Sequence, residues 1–131
     1  MLCLTQRGAW ACGTVLGQVG MSLHHKLCHT LGGSFDLPHA ETHAILLPHA
    51  IAYNARSAAQ ELRPICDLLG GDNAGLALHA FAQKMNAPLA LKDIGLRESD
   101  LDRAADLATT KPYPNPHPVT RADIRTLLQA A

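Results

Sequence analysis

Along this chain apolar residues recur at helical spacing, and no stretch alternates apolar and polar as a half-buried strand would. The pattern predicts an all-α architecture. A first helix is expected from Ala9 to about Leu31, with Gly32-Gly33 supplying the backbone freedom that ends it. "SFDL" then forms a short loop, and Pro38 opens a second helix whose Glu41 sits near the positive end of the dipole. Pro48 is expected to kink or break that helix.

A third helix over 57–69 is interrupted by Pro64 and stopped by Gly70-Gly71. A fourth spans 73–85, capped by Asp72 or Asn73, with Leu76, Leu78, Phe81 and Met85 as its apolar positions. "ALKDIGL" reads as a connector. The segment 98–109 begins at a Ser99 or Asp100 cap and pairs Asp102 and Asp106 with Arg103. Prolines keep "KPYPNPHPV" (111–119) out of any helix. Thr120 then caps a last helix over 121–131, with Ile124, Leu127 and Leu128 turned inward.

The first segment raises a membrane question, because "GAWACGTVLGQVGMSL" is uncharged and holds a Gly13-x-x-x-Gly17 spacing. It is shorter than the roughly 20 apolar residues that span a bilayer, and His24, His25 and Lys26 follow it directly. The expectation is a helix buried on most sides in a larger protein. Length allows one domain, 131 residues in all. Lys plus Arg and Asp plus Glu balance at 11 each, so no net field points to nucleic acid or an anionic membrane. Cys3, Cys12, Cys28 and Cys66 show no CxxC pairing, and read as packing residues or free thiols of a reducing cytoplasm.

Five of the eight histidines fall in "HHKLCHTLGGSFDLPHAETH" (24–43). His25 and His29 lie four apart, so a helix projects both from one face, while His24, one residue off, points elsewhere. His39, after a loop, can fold back beside them, and the dipole at its helix start keeps its ring neutral. Two imidazoles with oxygen or nitrogen co-ligands suit Fe²⁺, Zn²⁺ or Ni²⁺ rather than Ca²⁺ or Mg²⁺. Spacing alone leaves half a site, and satisfied or solvated imidazoles remain the alternative.

Lys26 and Arg56 could meet substrate carboxylates, against a reading as solvated charge. His43 could face the same cleft. His49, His79 and His117 have no partner pattern, and Cys28 reads as packing.

The frame His25-x-x-x-His29-x-x-Gly32, then Pro38-His39, Leu47-Pro48 and Asn54, resembles the iron-containing alcohol dehydrogenase family. The wording around it, with Ala40-Glu41-Thr42-His43 where alcohol-oxidising members carry Gly after the histidine, is similar to the branch reducing maleylacetate to 3-oxoadipate in aromatic-compound breakdown. The resemblance covers about Gly8 to Ala131.

That resemblance implies a helical bundle like the C-terminal domain of these dehydroquinate synthase-like enzymes. It implies His25 and His39 as ligands of a divalent metal (Fe²⁺ or Zn²⁺), and His29 as a catalytic imidazole near nicotinamide and substrate. Lys26 and His43 become candidates for a dicarboxylate substrate. The family's α/β domain, which binds NADH or NADPH, and its other two ligands, an Asp and a His, are expected upstream of residues 1–131. The chain is accordingly expected to be inactive alone, to pair with a separately encoded nucleotide-binding domain or be a non-catalytic truncated module, and to belong to an enzyme that could be a homodimer. A different alcohol dehydrogenase activity is the other alternative.

Overall fold

The computed structural model describes residues 3–131; the first two residues of the 1–131 unit lie outside the described residues. Seven α-helices follow one another: α1 (Leu4–Leu16), α2 (Leu23–Phe35), α3 (His39–Ala58), α4 (Arg63–Leu69), α5 (Ala74–Lys84), α6 (Leu101–Thr109) and α7 (Arg121–Ala130). Two short 3₁₀ turns, Leu91–Ile94 and Glu98–Asp100, lie between α5 and α6. Among the described residues there is no strand, as the periodicity predicts.

The core forms where α2, α3, α6 and α7 converge. Leu23, Leu27 and Leu31 from α2, Ile45 and Leu46 from α3, Ala104, Ala105 and Ala108 from α6 and Ile124 and Leu128 from α7 are all buried there. The alanine face of α6 lets its axis come close to its neighbours, while leucines fill the wider gaps. Ala131 is buried too, and its carbonyl accepts a hydrogen bond from the Leu91 N–H at 2.8 Å.

The single helix expected from Ala9 to Leu31 is two. α1 ends at Leu16, the chain turns through Gly17–Ser22, and α2 starts at Leu23. Ser22 explains the break: its hydroxyl donates to the Pro114 carbonyl at 2.8 Å and so holds the chain to the proline-rich segment. Leu23 is then completely buried, a position a straight continuation of α1 would not give it. All of α1 is exposed, Trp10 at 70% and Leu4 at 83%.

Gly32-Gly33 is not a stop. α2 runs through both and ends at Asp36, which takes the left-handed conformation at φ 54°. An Asp side chain tolerates that region better than most. Pro38 bars Leu37 from continuing the helix, and Leu37 turns into the core instead.

Pro48 does not end α3. Its ring is buried and the helix continues to Ala58, so packing on both sides outweighs the lost hydrogen bond. On one side α5 comes so close that a Cβ on Gly75 would lie 2.5 Å from the Ala52 Cβ and 2.8 Å from the Pro48 carbonyl oxygen. This contact also reorients α5. Ala74 and Gly75 are its buried residues, while Leu76 and Phe81, two of its apolar positions, are 70% and 46% exposed.

Other signals act as read. Gly70 and Gly71 stop α4 at φ 88° and 85°. The Asn73 side chain accepts from the Leu76 N–H at 3.0 Å, and Thr120 Oγ1 from the Asp123 N–H at 3.1 Å. Asp102 and Asp106 find Arg121 of α7 rather than Arg103, whose guanidinium lies 5.8 Å from the Phe35 ring centre. All four cysteines are free, Cys28 and Cys66 buried, Cys3 and Cys12 exposed.

Candidate functional site

The packing of α3 against α2 brings His24, His25, His29, His39 and His43 into one cluster. The ring of His43 is its centre. It lies 4.9 Å from His24, 5.4 Å from His25 and 4.3 Å from His39, centre to centre. His25 and His29 are 6.2 Å apart on the shared face that their spacing predicts.

His24 does not point elsewhere. Its ring packs edge-on to both His25 and His43, and its Nε2–H donates to the His43 carbonyl at 3.1 Å. The reason is the early helix break: with α2 starting at Leu23, His24 sits in its first turn, directly beside α3.

The cluster has a wet side and a dry side. His29 and His39 are exposed, His24, His25 and His43 are half-buried, and Cys28 is closed off from solvent. Burial pulls the His24 imidazolium below its ordinary pKa, and the bond to the carbonyl only partly opposes this. His43 falls to about 4, first through burial and then through the neighbouring imidazoles. Its ring is therefore neutral at pH 7. Its Nε2 is buried and has no hydrogen-bond partner among the described residues.

Lys26 is half-buried on α2 beside this cluster and makes no ion pair among the described residues. Arg56 is not part of the site. It lies thirteen residues beyond His43 on α3, about 20 Å along the axis, with its guanidinium over the Tyr53 ring and 3.8 Å from Asp123. His49 and His79 pair with each other at 6.4 Å, and His117 Nδ1 lies 2.7 Å from Ser57 Oγ, consistent with structural roles.

A second polar group was not legible in the sequence. Asn115 donates from Nδ2 to the Asn54 side-chain oxygen at 2.7 Å and to the His117 carbonyl at 2.6 Å. Its own oxygen lies 2.7 Å from Ser22 Oγ and shares that hydroxyl's one proton with the Pro114 carbonyl. It ties the proline-rich segment to α3 and to the start of α2.

The model of the Fe-containing alcohol dehydrogenase family, C-terminal, matches residues 4–131. The chain belongs to this family. It is 58% identical over 124 residues to a maleylacetate reductase of Rhizobium sp. (strain MTP-10005), covering 95% of this chain and 35% of that protein. The crystal structure of maleylacetate reductase from that strain superposes with a TM-score of 0.90 at 57% identity, over 93% of this chain and 35% of that one. An iron-containing alcohol dehydrogenase from Corynebacterium glutamicum gives a TM-score of 0.76 at 44% identity, over 85% of this chain and 32% of that one. The chain thus spans about a third of the length of these relatives, and the all-helical fold expected from the pattern is the fold they share with it.

Proposed function

We propose that this chain forms the metal- and substrate-facing portion of a reductase that converts maleylacetate to 3-oxoadipate with NADH or NADPH. The supporting observation is the convergence of His25, His29, His39 and His43 at the α2–α3 junction, in a chain similar to maleylacetate reductases. The donor set fits a borderline cation, since the histidines are uncharged ligands and the central His43 carries an unpartnered buried nitrogen.

In this reading His25 and His39 would hold Fe²⁺ or Zn²⁺, which when bound supplies stabilisation of negative charge on the keto oxygen, while the nicotinamide supplies the hydride. His29, exposed at the rim one turn beyond His25, moves a proton at its ring nitrogen as the conjugated system is reduced. The Lys26 ammonium and the His43 ring orient the dicarboxylate, the first by charge and the second by shape and a hydrogen bond. Helices α2 and α3 hold these groups because Leu27, Leu31, Ile45 and Leu46 lock the two together behind the site.

The described residues hold no strand of the α/β nucleotide-binding domain that the resemblance implies, and the 131-residue chain alone is proposed to bind neither nucleotide and to be inactive. A separately encoded nucleotide-binding partner, a homodimer of the complete enzyme and a cytoplasmic location complete the proposal. The test is a graft: these residues replace the matching third of the Rhizobium maleylacetate reductase. Maleylacetate-dependent oxidation of NADH or NADPH is expected, and a folded but inactive graft overturns the assignment. Calorimetry of the chain alone should show no nucleotide heat; a micromolar dissociation constant refutes that part.

A further inference from the structure

His24 and Cys28 stand one turn apart on α2, and His43 reaches them from α3. One ligand-capable atom from each of the three lies within 4.8 Å of the others. His24 and Cys28 have no role in the reaction proposed above; of the trio only His43 has one, in orienting the substrate. We propose that His24, Cys28 and His43 form a second cation site, a two-imidazole, one-thiolate centre for Zn²⁺ on the dry side of the histidine cluster.

Three observations support it. The His24 Nε2–H is committed to the His43 carbonyl, which can only accept, so the Nδ1 of His24 carries a free lone pair. This is the outer hydrogen bond that orients a metal-bound histidine. The Nε2 of His43 is buried and makes no hydrogen bond, an expense the fold would otherwise carry for nothing. Cys28 is 1% exposed, which shields its sulfur from oxidation and dry-packs the site.

Zinc bonds of about 2.0 to 2.3 Å in tetrahedral geometry need donors roughly 3.5 Å apart, so side-chain rotations of about an ångström close the site. Imidazole nitrogen with thiolate sulfur selects Zn²⁺ over Mg²⁺ or Ca²⁺. As the Zn–S bond forms, the thiol S–H bond breaks and its proton leaves to solvent; no electrons are exchanged. A buried thiol resists ionising by itself, its pKa raised to about 12, and the cation supplies the charge that offsets this. The fourth position is left to water. The site adjoins the His25–His39 pair but shares no donor with it.

Cobalt(II) reports on it, because a thiolate ligand gives an intense near-ultraviolet charge-transfer band that imidazoles alone do not. The full chain is titrated in a Cys3→Ser, Cys12→Ser background, which removes the exposed thiols. Stoichiometric binding with the thiolate band is expected, with Zn²⁺ displacing the cobalt. Cys28→Ser should abolish the band and weaken binding about tenfold or more. His25→Ala combined with His39→Ala should keep the band, which separates this site from the ligands of the proposed reaction. Should Cys28→Ser lose helicity by circular dichroism, His24→Ala, at a half-buried ring, is the deciding variant and must weaken cobalt binding. Absence of cobalt binding, a band that survives Cys28→Ser, or a band lost only with His25 and His39 overturns the proposal.

Discussion

His43 of α3 meets His25 of α2 ring to ring, 5.4 Å apart and nearly perpendicular, and is neutral there at physiological pH. An imidazolium would face four other imidazoles in a partly dry cluster, so the neutral form is the one the packing selects. The junction therefore presents lone pairs instead of charge, as ligand chemistry requires.

The exposed imidazole at its rim yields the first prediction. In the active graft, His29→Ala should lower kcat by about 10²- to 10⁴-fold, the usual range for a lost proton-transfer group. Nucleotide affinity, measured by fluorescence, should stay within about twofold. Unchanged kcat would remove His29 from the reaction.

Close packing of α3 on α5 gives the second. Gly75→Ala places a methyl 2.5 Å from the Ala52 Cβ and against the Pro48 carbonyl, where backbone must move. Overpacking of this kind costs about 1 to 3 kcal/mol. Urea unfolding followed by far-ultraviolet circular dichroism should show it; a stability equal to the parent would mean that α5 slides freely on α3.

Two arginine-paired carboxylates, one across α6 and α7 and one at the start of α6, set an acid limit. Asp106 is held below its ordinary pKa by its hydrogen bond to Arg121, and Asp100 likewise by Arg97. Because each is lower in the folded state, it stabilises the fold above the unfolded value of about 4 and loses that contribution as pH falls through the folded pKa. Thermal midpoints should start to fall below about pH 6.5, where the unfolded chain protonates His24 and His43 while the folded cluster stays neutral. They should drop further below about pH 4 as the carboxylates lose their contribution. Asp106→Asn should make the lower drop shallower and leave the upper one unchanged; a lower drop of undiminished depth would remove Asp106 from the acid limit.

Trp10, Val15, Leu16 and Val19 are all exposed on and just after α1, with Ala11 and Cys12 beside them. Covering about 400 Å² of such surface is worth about 10 kcal/mol as an upper bound. The purified chain should self-associate or bind hydrophobic dye, and Val15→Lys with Val19→Lys should reduce both. Static light scattering checks it. A monodisperse monomer that excludes the dye would show that α1 tolerates water as it stands.

What the sequence determined by itself was local or periodic. Helical spacing set the all-α class; Asn73, Thr120 and the Gly70-Gly71 pair marked ends because caps and left-handed turns act within a few residues. The spacing of His25 and His29 placed them on one face for the same reason. Tertiary structure decided what depends on a second element. The break before Leu23 needs the proline-rich segment ninety residues away, anchored through Ser22. Gly32-Gly33 stays helical because the proline at 38 and the burial of Leu37 move the stop to Asp36. The place of His24 and Cys28 beside His43 follows from how α3 crosses α2, and side-chain spacing along one helix holds no record of that crossing.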